Sequence, residues 1–294
     1  MRVSVIIVNW NAGSVLYNCI HSLRKDLDLI KDIYVVDNNS TDNSLERIEN
    51  LFDNITIIKN SENLGYSKAV NKALSMIKKE DYVLVLNPDT EMRGNALRKM
   101  VEYMDEDFES GMLGPKLINS DGSFQLASKR SIPTPEVAFY KMSGLSRMFP
   151  KSEKFGKYNL TFLDENKIQF VEAISGSCMF ARRSVIDKVG FMDEDYFMYG
   201  EDLDWCYRFG KAGWKIVYYP QAEVMHHHRV SSRKRPVSTS YSFYQAMYIF
   251  YKKHFKKWFI ADCAIVGAIV AAGGLAVGKS FLKNLFVKKR KEKE

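Results

Sequence analysis

The chain has 294 residues, of which 46% are hydrophobic and 27% charged, the balance of a globular protein with a sizeable core. The formal net charge of +8 comes from one end, because residues 229–294 hold 15 Lys and Arg against 3 Asp and Glu. The first 228 residues hold 28 against 32, so this body is mildly acidic and a nucleic-acid-binding role for it is disfavoured.

The four cysteines are scattered along the chain without a CxxC pair or a metal-ligand spacing: Cys19, Cys178, Cys206 and Cys263. We expect them to be reduced, as in a protein that faces the cytosol. The first apolar run, residues 3–8, is shorter than the apolar region of a signal peptide and meets Asn9 at once. The body is therefore expected to stay on the cytoplasmic side.

The first 90 residues alternate between short apolar runs and segments with apolar residues at helical spacing. The runs predict four buried strands: residues 3–8, 33–36, 55–58 and 82–86. The spacing predicts three helices between them: residues 15–23, 44–51 and about 67–77. This alternation predicts parallel βαβ units with right-handed crossovers.

Polar residues follow the carboxyl ends of these strands, at the edge where open α/β sheets bind ligands: Asn9, Asp37, Asn39, Asn63 and Asp89. Asp37 can accept the imide N–H of a pyrimidine base, Gly65 lets a backbone approach a ligand closely, and Lys68 can neutralise a diphosphate. Taken singly, Asp37 and Asn39 are better explained as a helix cap and an Asx-turn. The usual dinucleotide and P-loop fingerprints are absent from the sequence.

The run at residues 82–86 ends abruptly in Asn87, Pro88 and Asp89. Proline cannot continue the strand ladder, which leaves the Asp89 carboxylate at the strand's carboxyl end. Mg²⁺ and Mn²⁺ sites commonly combine one or two carboxylates with substrate phosphates. On this stretch alone a metal site and a turn that caps the next helix are equally good interpretations.

The middle of the chain has a less regular pattern. Residues 114–124 predict a hairpin around an Asp-Gly turn. Residues 131–166 show no clear period and are interpreted as a loop over a site or an irregular connection. Residues 171–181 are strand-like, but Ser175, Gly176 and Ser177 interrupt them where a ligand can approach the backbone.

Glu201 and Asp202 begin a predicted helix that Gly213 ends. Acidic residues are favoured at a helix start by the macrodipole, and paired carboxylates can also supply a general base. A strand is predicted at residues 216–219, and three histidines follow at residues 226–228. By spacing alone, a structural role for these histidines is favoured over metal binding.

The tail predicts a helix at residues 241–255 and then a 20-residue apolar run, 259–278, whose only charge is Asp262. That length just suffices to cross a bilayer, and basic residues flank it on both sides. We expect the segment 256–294 to attach the protein to a membrane, either across it or in its interface. The alternative is a solvated basic tail around a dimerisation helix.

Taken in order, these blocks resemble the family 2 glycosyltransferases of the GT-A fold, closest to their rhamnosyltransferase-like branch. The matching blocks lie within residues 1–228: VSVIIVNWN from Val3, VDNNSTD from Val36, NLGY from Asn63, LNPD from Leu86, GEDLDW from Gly200, AGW from Ala212, and His226. The resemblance implies an α/β fold with a mixed central sheet. It divides the chain into a Rossmann-like nucleotide-binding half (1–90), an acceptor-binding half (91–228) and C-terminal membrane-associated helices (229–294).

The resemblance also assigns roles to single residues. It implies a nucleotide-sugar site made by seven residues: Asn9, Asp37, Asn39, Asn63, Gly65, Lys68 and Asn87. Asn87, Pro88 and Asp89 occupy the place of the family's Asp-x-Asp motif, with Asp89 as a ligand of Mg²⁺ or Mn²⁺ and one carboxylate fewer than that motif. His226 matches a metal-binding histidine of some members. Asp202 would be the catalytic base, with Glu201 beside it.

These expectations converge on an inverting glycosyltransferase at the cytoplasmic face of the cell membrane. It is expected to move a sugar onto a lipid-linked or cell-envelope glycan, and the resemblance alone implies rhamnose from a dTDP donor. One alternative is a UDP-hexose or galactofuranose transferase of the same fold. Another is a catalytically silent, membrane-anchored relative that binds nucleotide or carbohydrate, which the presence of Asp89, Glu201 and Asp202 argues against. No nucleic-acid partner is expected.

Overall fold

The computed structural model of the chain describes residues 2–49, 51–78, 80–227, 236–256 and 259–291. The strands of this described part are β1 (Val3–Asn9), β2 (Ile30–Asp37), β3 (Ile55–Lys59), β4 (Tyr82–Leu86), β5 (Thr90–Met92), β6 (Ser110–Ile118), β7 (Lys129–Arg130), β8 (Gln169–Val171), β9 (Ala173–Ile174), β10 (Cys178–Arg182) and β11 (Lys215–His226). Its α-helices are α1 (Ser14–Ser22), α2 (Tyr66–Leu74), α3 (Ala96–Glu106), α4 (Pro135–Met142), α5 (Leu145–Met148), α6 (Arg183–Val189), α7 (Glu201–Lys211), α8 (Pro236–His254) and α9 (Phe259–Lys291).

One mixed sheet organises the body. Its strand order is β3-β2-β1-β4-β10-β6-β11-β5, with β8 also paired to β11, while β7 and β9 form a separate two-stranded sheet. The first four strands are parallel, as the alternation of strands and helices predicts. Strand β10 runs antiparallel between β4 and β6 and makes the sheet mixed. The expected α/β fold with a parallel, Rossmann-like half is confirmed.

The central strands are buried because helices cover both faces of the sheet. All seven residues of β1 are buried, and its side chains alternate between two cores. Val5 and Ile7 pack with α1 and α3 on one face, whereas Ile6 and Val8 pack with α2 and α7 on the other. A strand sandwiched in this way is apolar at successive positions, which explains its unbroken hydrophobic run.

Three predicted elements are corrected by the structure. Residues 44–49 form consecutive turns and no helix, because the Asp42 carboxylate accepts bonds from both the N–H and the Oγ of Ser44. The predicted hairpin is a strand, β6, whose return arm makes a single bridge from Ile118 to Phe124. The strand predicted at residues 216–219 extends to His226, because β11 pairs along β6 through a register shift.

The C-terminal segment forms the two helices that its pattern predicts, α8 and α9. Helix α8 contacts α7, where His254 Nε2 lies 2.7 Å from the buried Asp204 carboxylate and the His254 ring contacts Tyr207. Helix α9 contains a 20-residue stretch, Asp262–Phe281, of mean hydropathy 1.7 that is long and apolar enough to cross a bilayer, and little of it is buried. The proposed boundary at residue 228 and the basic residues 229–235 lie outside the described residues.

Candidate active site

A cleft of about 340 Å³ opens at the carboxyl ends of β1, β2 and β4. Its walls come from both halves of the body, since the segments before α2, after β4, after β9 and before α7 all reach it. Seven of the residues singled out from the sequence for nucleotide binding, metal binding or catalysis line it: Asn63, Gly65, Asn87, Asp89, Glu201, Asp202 and His226. This is the sheet edge at which ligands bind in open α/β folds.

Asn9 and Asp37 form a buried polar cluster beside the cleft. Asn9 Nδ2 lies 2.7 Å from Asp37 Oδ1 and 2.8 Å from Ser44 Oγ, and Asn9 Oδ1 is buried without a hydrogen-bond partner in the described chain. Asp37 also accepts the N–H and the Oγ–H of Ser40. The Asp37 carboxylate therefore holds its own loop together, while its remaining lone pairs are able to accept a base N–H.

Of the other candidate nucleotide-binding residues, some line the cleft and some do not. Asn63 lines the cleft and accepts the Gly65 N–H at 2.9 Å. Gly65 has φ +84°, and a Cβ there would lie 2.6 Å from the Phe197 carbonyl, so the close approach that needs glycine is to the protein's own backbone. Asn39 and Lys68 are exposed and are not among the lining residues, so the cleft does not bring them together with the rest.

Asp89 and His226, which are far apart in sequence, meet in the cleft. Strand β11 runs antiparallel to β5 and pairs His226 with Thr90, the residue after Asp89. His226 Nε2 consequently lies 3.3 Å from Asp89 Oδ1, and both side chains are largely buried. The resemblance named both residues as metal ligands, and their juxtaposition is a consequence of strand pairing.

Gln125 orients the His226 ring. Its Nε2 donates to the His226 carbonyl at 2.8 Å and to Asn119 Oδ1 at 2.9 Å, which leaves its Oε1 facing His226 Nδ1 at 2.9 Å. Since an amide oxygen only accepts, Nδ1 is the donor in this contact, and the neutral form of a ring held in this way has its lone pair on Nε2, where a metal can bind. A hydrogen-bond partner on the ring nitrogen that does not bind the metal fixes the tautomer of metal-binding histidines.

The Asp89–His226 pair fits a divalent cation that is also held by substrate. Within the described residues no group of three or more potential ligands gathers, so protein ligands alone do not complete a site. Mg²⁺ typically takes few protein ligands at about 2.1 Å together with phosphate oxygens, and neighbouring ligands of such an octahedron lie about 3 Å apart. The observed 3.3 Å matches that spacing.

The charge of the cleft supports the same interpretation. Three carboxyl groups line it, those of Asp89, Glu201 and Asp202, and none of the described lining residues is Lys or Arg. Burial favours the neutral form of Glu201, and Arg130 pairs with Asp202, so Asp89 is the carboxylate that faces a ligand without a Lys or Arg beside it in the described lining. An anionic diphosphate entering this cleft is repelled unless a cation accompanies it. A divalent metal held by Asp89 and His226 would supply that cation.

Asp202 is fixed on the opposite wall at the start of α7. Its Oδ2 lies 2.5 Å from Arg130 Nη2 and accepts the Gly176 N–H at 2.9 Å, while its Oδ1 accepts the Leu203 N–H at 2.8 Å. A Cβ on Gly176 would lie 3.1 Å from the Asp202 Cβ, so a small residue is needed where the backbone approaches. Asp202 is thus held with one edge toward the cleft.

Glu201, its neighbour, has a different environment. Its side chain is buried, and Oε2 has no hydrogen-bond partner in the described chain. Burial, reinforced by the adjacent Asp202 charge, raises the pKa of Glu201 to about 8. Glu201 is therefore a neutral acid at pH 7, while the Arg130-paired Asp202 is suited to act as a base.

Three residues of this site were missed from the sequence. Arg130 lies at the edge of the segment that shows no period, and Gln125 follows the predicted hairpin turn. Asn38, rather than Asn39, lines the cleft, and its buried amide bridges the Gly65 carbonyl and Asn60. The local sequence pattern could have indicated only Asn38, because side chains alternate in direction along the strand end formed by Val36, Asp37 and Asn38. It gives no indication for Arg130 or Gln125.

The chain matches the family model described as "Glycosyl transferase family 2" over residues 4–190. An N-acetylglucosaminyl-diphospho-decaprenol L-rhamnosyltransferase of Mycobacterium tuberculosis is 30% identical over 267 residues, covering 87% of this chain and 86% of that protein. The low-salt glycan biosynthesis hexosyltransferase Agl10 of Haloferax volcanii is 27% identical over 244 residues, covering 82% and 71%.

Similarity to a solved structure supports the fold. The mannosyltransferase PcManGT from Pyrobaculum calidifontis, in complex with GDP-Man and Mn²⁺, has a TM-score of 0.57 and 15% identity, covering 96% of this chain and 73% of that one. The expected glycosyltransferase fold is confirmed. With its matched family model and its relative at 30% identity, the chain belongs to glycosyl transferase family 2 and is a rhamnosyltransferase-like glycosyltransferase.

Proposed function

We propose that this glycosyltransferase moves rhamnose from dTDP-rhamnose to a lipid-linked glycan acceptor, with inversion at the anomeric carbon. The observation that carries the proposal is the single cleft lined by Asp89, His226 and Asp202, which combines a candidate diphosphate-binding pair with a candidate base. The choice of sugar and acceptor is supported by the name of the M. tuberculosis relative.

Asp202 acts as the general base. Its Oδ2 is anchored by Arg130 and by the Gly176 N–H, and these charge-assisted and backbone contacts fix the orientation of the carboxylate. It takes the proton of the acceptor hydroxyl while that oxygen attacks the anomeric carbon and the sugar–phosphate bond breaks. A single displacement from the face opposite the leaving diphosphate inverts the configuration.

The departing nucleoside diphosphate is held on the other wall. Asp89 and His226 would bind Mg²⁺ or Mn²⁺, which would supply positive charge for the leaving diphosphate. Gln125 keeps the His226 lone pair available for that role. On the nucleoside side, the Asn9–Asp37 cluster offers a buried carboxylate to a pyrimidine N–H.

The tail anchors the enzyme to the cytoplasmic face of the cell membrane. The proposal is supported by the apolar stretch Asp262–Phe281 of α9, which is mostly exposed in the described chain and would otherwise present a large apolar surface to water. Basic residues on both sides of it are attracted to anionic lipid. Such an attachment keeps the cleft close to lipid-linked acceptors.

Transfer of a hexose from a UDP donor is the second candidate. The name of the H. volcanii relative supports the hexose, and it does not specify the nucleotide of the donor. The two are separated by incubating the full-length protein with a prenyl-diphosphate-linked N-acetylglucosamine, Mn²⁺ and one donor at a time. We expect the acceptor to gain a deoxyhexose from dTDP-rhamnose with inverted anomeric configuration, by mass spectrometry and NMR. Gain of a hexose from UDP-glucose or UDP-galactofuranose favours the alternative, and the absence of transfer and hydrolysis for every donor indicates a silent relative.

A further inference from the structure

A second cavity, of about 550 Å³, lies between the body and the two C-terminal helices. Its walls come from α4 along its length, the start of α7, and α8 and α9, and almost all of the lining side chains are apolar. Its size is within the range of about 300–1,000 Å³ that is typical of ligand pockets. Nothing in the mechanism above uses this cavity.

The apolar cavity and the polar cleft adjoin at the start of α7. Glu201 and Asp202 line the cleft, whereas Gly200 and Leu203 line the apolar cavity. Tyr199 lines both. A ligand that reaches from one cavity to the other therefore passes beside the candidate base, Asp202.

The outer wall of this cavity is the helix that resembles a membrane span. Ile265, Ala268 and Ile269 of α9 line the cavity, and all three fall within the apolar stretch Asp262–Phe281. Exposed apolar side chains, those of Phe139, Met142 and Phe243, also belong to the lining. The cavity thus opens next to the surface that lies against lipid if α9 is in the membrane.

The apolar lining of this cavity contains a positively charged side chain. Among the described lining residues only Lys141 is charged, and its Nζ donates to Asn159 Oδ1 at 2.5 Å. A ligand that matches the site has a long hydrocarbon part and an anionic group near it. An isoprenoid diphosphate has both, and an ordinary fatty acyl chain without a nearby phosphate matches only the first.

We infer that this cavity holds the diphosphate-proximal isoprenoid units of a polyprenyl-diphosphate-linked acceptor. The inference rests on the proposed function, since it names where the lipid of the acceptor lies when its sugar hydroxyl reaches Asp202. The lipid enters from the α9 side, passes Lys141 and Leu203, and leads its diphosphate toward the cleft. Occupation by detergent or by another part of the chain is an outcome of the test below.

The test is photo-crosslinking of the full-length protein in nanodiscs with a farnesyl diphosphate that carries a diazirine on its isoprenoid. We expect adducts on the peptides that wall the cavity in α4, α8 and α9, and we expect unlabelled farnesyl diphosphate to compete. Ala268→Trp fills the cavity and should lower the yield about tenfold, because an overpacked site excludes the isoprenoid. Val270→Trp is the matched control, since Val270 is exposed, does not line the cavity and lies about 200° further around the helix.

Adducts confined to other faces of α9, labelling that unlabelled farnesyl diphosphate does not reduce, or equal yields from the two tryptophan variants would overturn the inference. The assay contains no donor, so its result is independent of sugar transfer. Cavity labelling in a protein that transfers no sugar rejects the proposed function and leaves the lipid site. Transfer by the wild type without competed cavity labelling rejects the lipid site alone.

Discussion

Arg130 and Asp202 form a largely buried ion pair at the wall of the candidate active site, with Nη2 and Oδ2 2.5 Å apart and side chains that are 10% and 14% exposed. Burial opposes ionisation of Arg130, but the Asp202 charge outweighs it and raises the pKa of the guanidinium above its ordinary value. Arg130 also donates to the Ile174 carbonyl. The pair therefore connects the candidate base to the strand that precedes Gly176.

Arg130→Ala should lower the free energy of unfolding by about 3 kcal/mol, because it leaves the Asp202 carboxylate buried without its partner. Chemical denaturation of the full-length protein in detergent measures the change. Arg130→Ala combined with Asp202→Ala should cost less than the sum of the single variants, since the double variant leaves no unpaired charge. The matched control is Lys215→Ala, which breaks the exposed pair with Glu109 and should have a much smaller effect. Equal effects of Arg130→Ala and Lys215→Ala would contradict the buried pair.

Glu201 makes the stability of the protein depend on pH. Its pKa is raised from 4.5 to about 8 by burial, so the folded state holds this proton more tightly than the unfolded chain. The stabilisation is fully present below pH 4.5 and is lost as the pH rises through about 8. Between pH 5 and pH 8, this one group should lower the free energy of unfolding by about 3 kcal/mol.

Glu201→Gln tests this prediction, because the neutral amide has no proton to lose. The difference in unfolding free energy between Glu201→Gln and the wild type should move in favour of the variant as the pH rises from 5 to 8. Glu46→Gln, at an exposed position, is the control and should show no such trend. A flat difference for Glu201→Gln would mean that the carboxyl group is not buried as described.

Gln125 should affect metal binding without being a ligand. Gln125→Ala frees the His226 ring to change tautomer and should weaken Mn²⁺ affinity in the presence of dTDP about 10–100-fold. Electron paramagnetic resonance of free Mn²⁺ during titration measures the affinity. Thermal unfolding with and without Mn²⁺ and dTDP provides a second readout.

Two histidine variants serve as controls for the Mn²⁺ affinity of Gln125→Ala, one for lost binding and one for retained binding. His226→Ala should abolish the Mn²⁺-dependent binding, whereas His227→Ala should retain it, because His227 pairs with Glu91 and does not line the cleft. If the affinity of Gln125→Ala equals that of the wild type while His226→Ala has lost binding, Gln125 does not set the tautomer. If His226→Ala also binds normally, the proposed metal pair is wrong.

Deletion of residues 256–294 should release the protein from membranes, because it removes the apolar stretch of α9. Sedimentation of lysate membranes, followed by immunoblotting of pellet and supernatant, measures the distribution. Circular dichroism of the soluble form checks that the body is still folded, since α9 also packs on α8 through the Tyr251–Asp262 hydrogen bond. A folded truncated protein that still sediments with membranes would show that the anchor lies elsewhere.

The parallel half of the fold was predictable because its signals are local. An unbroken run such as Tyr82–Leu86 is apolar since both faces of the sheet are covered, and it ends where Pro88 stops the ladder. The helix expected at residues 44–51 was wrong for an equally local reason, the competition of the Asp42 side chain for Ser44. A prediction from helical spacing and propensity does not take that side-chain hydrogen bond into account.

The site was predictable only in part because its contacts are long-range. The resemblance named Asp89 and His226 separately, but their contact depends on the pairing of β5 with β11. Arg130 lies in an irregular region and gains its role solely from its distance to Asp202. Nothing in the local pattern marks such a residue, whereas Asn38 follows from the alternation of the strand that ends at Asp37.

The measurement that tests the account most directly is single-turnover transfer by Asp202→Asn beside the wild type, with donor binding measured on the same preparations. Loss of the base should reduce the transfer rate by about 10²–10⁴-fold. Donor binding should stay near that of the wild type, because the isosteric amide leaves Asp89 and His226 in place. Transfer by Asp202→Asn at close to the wild-type rate would contradict the assignment of Asp202 as the catalytic base.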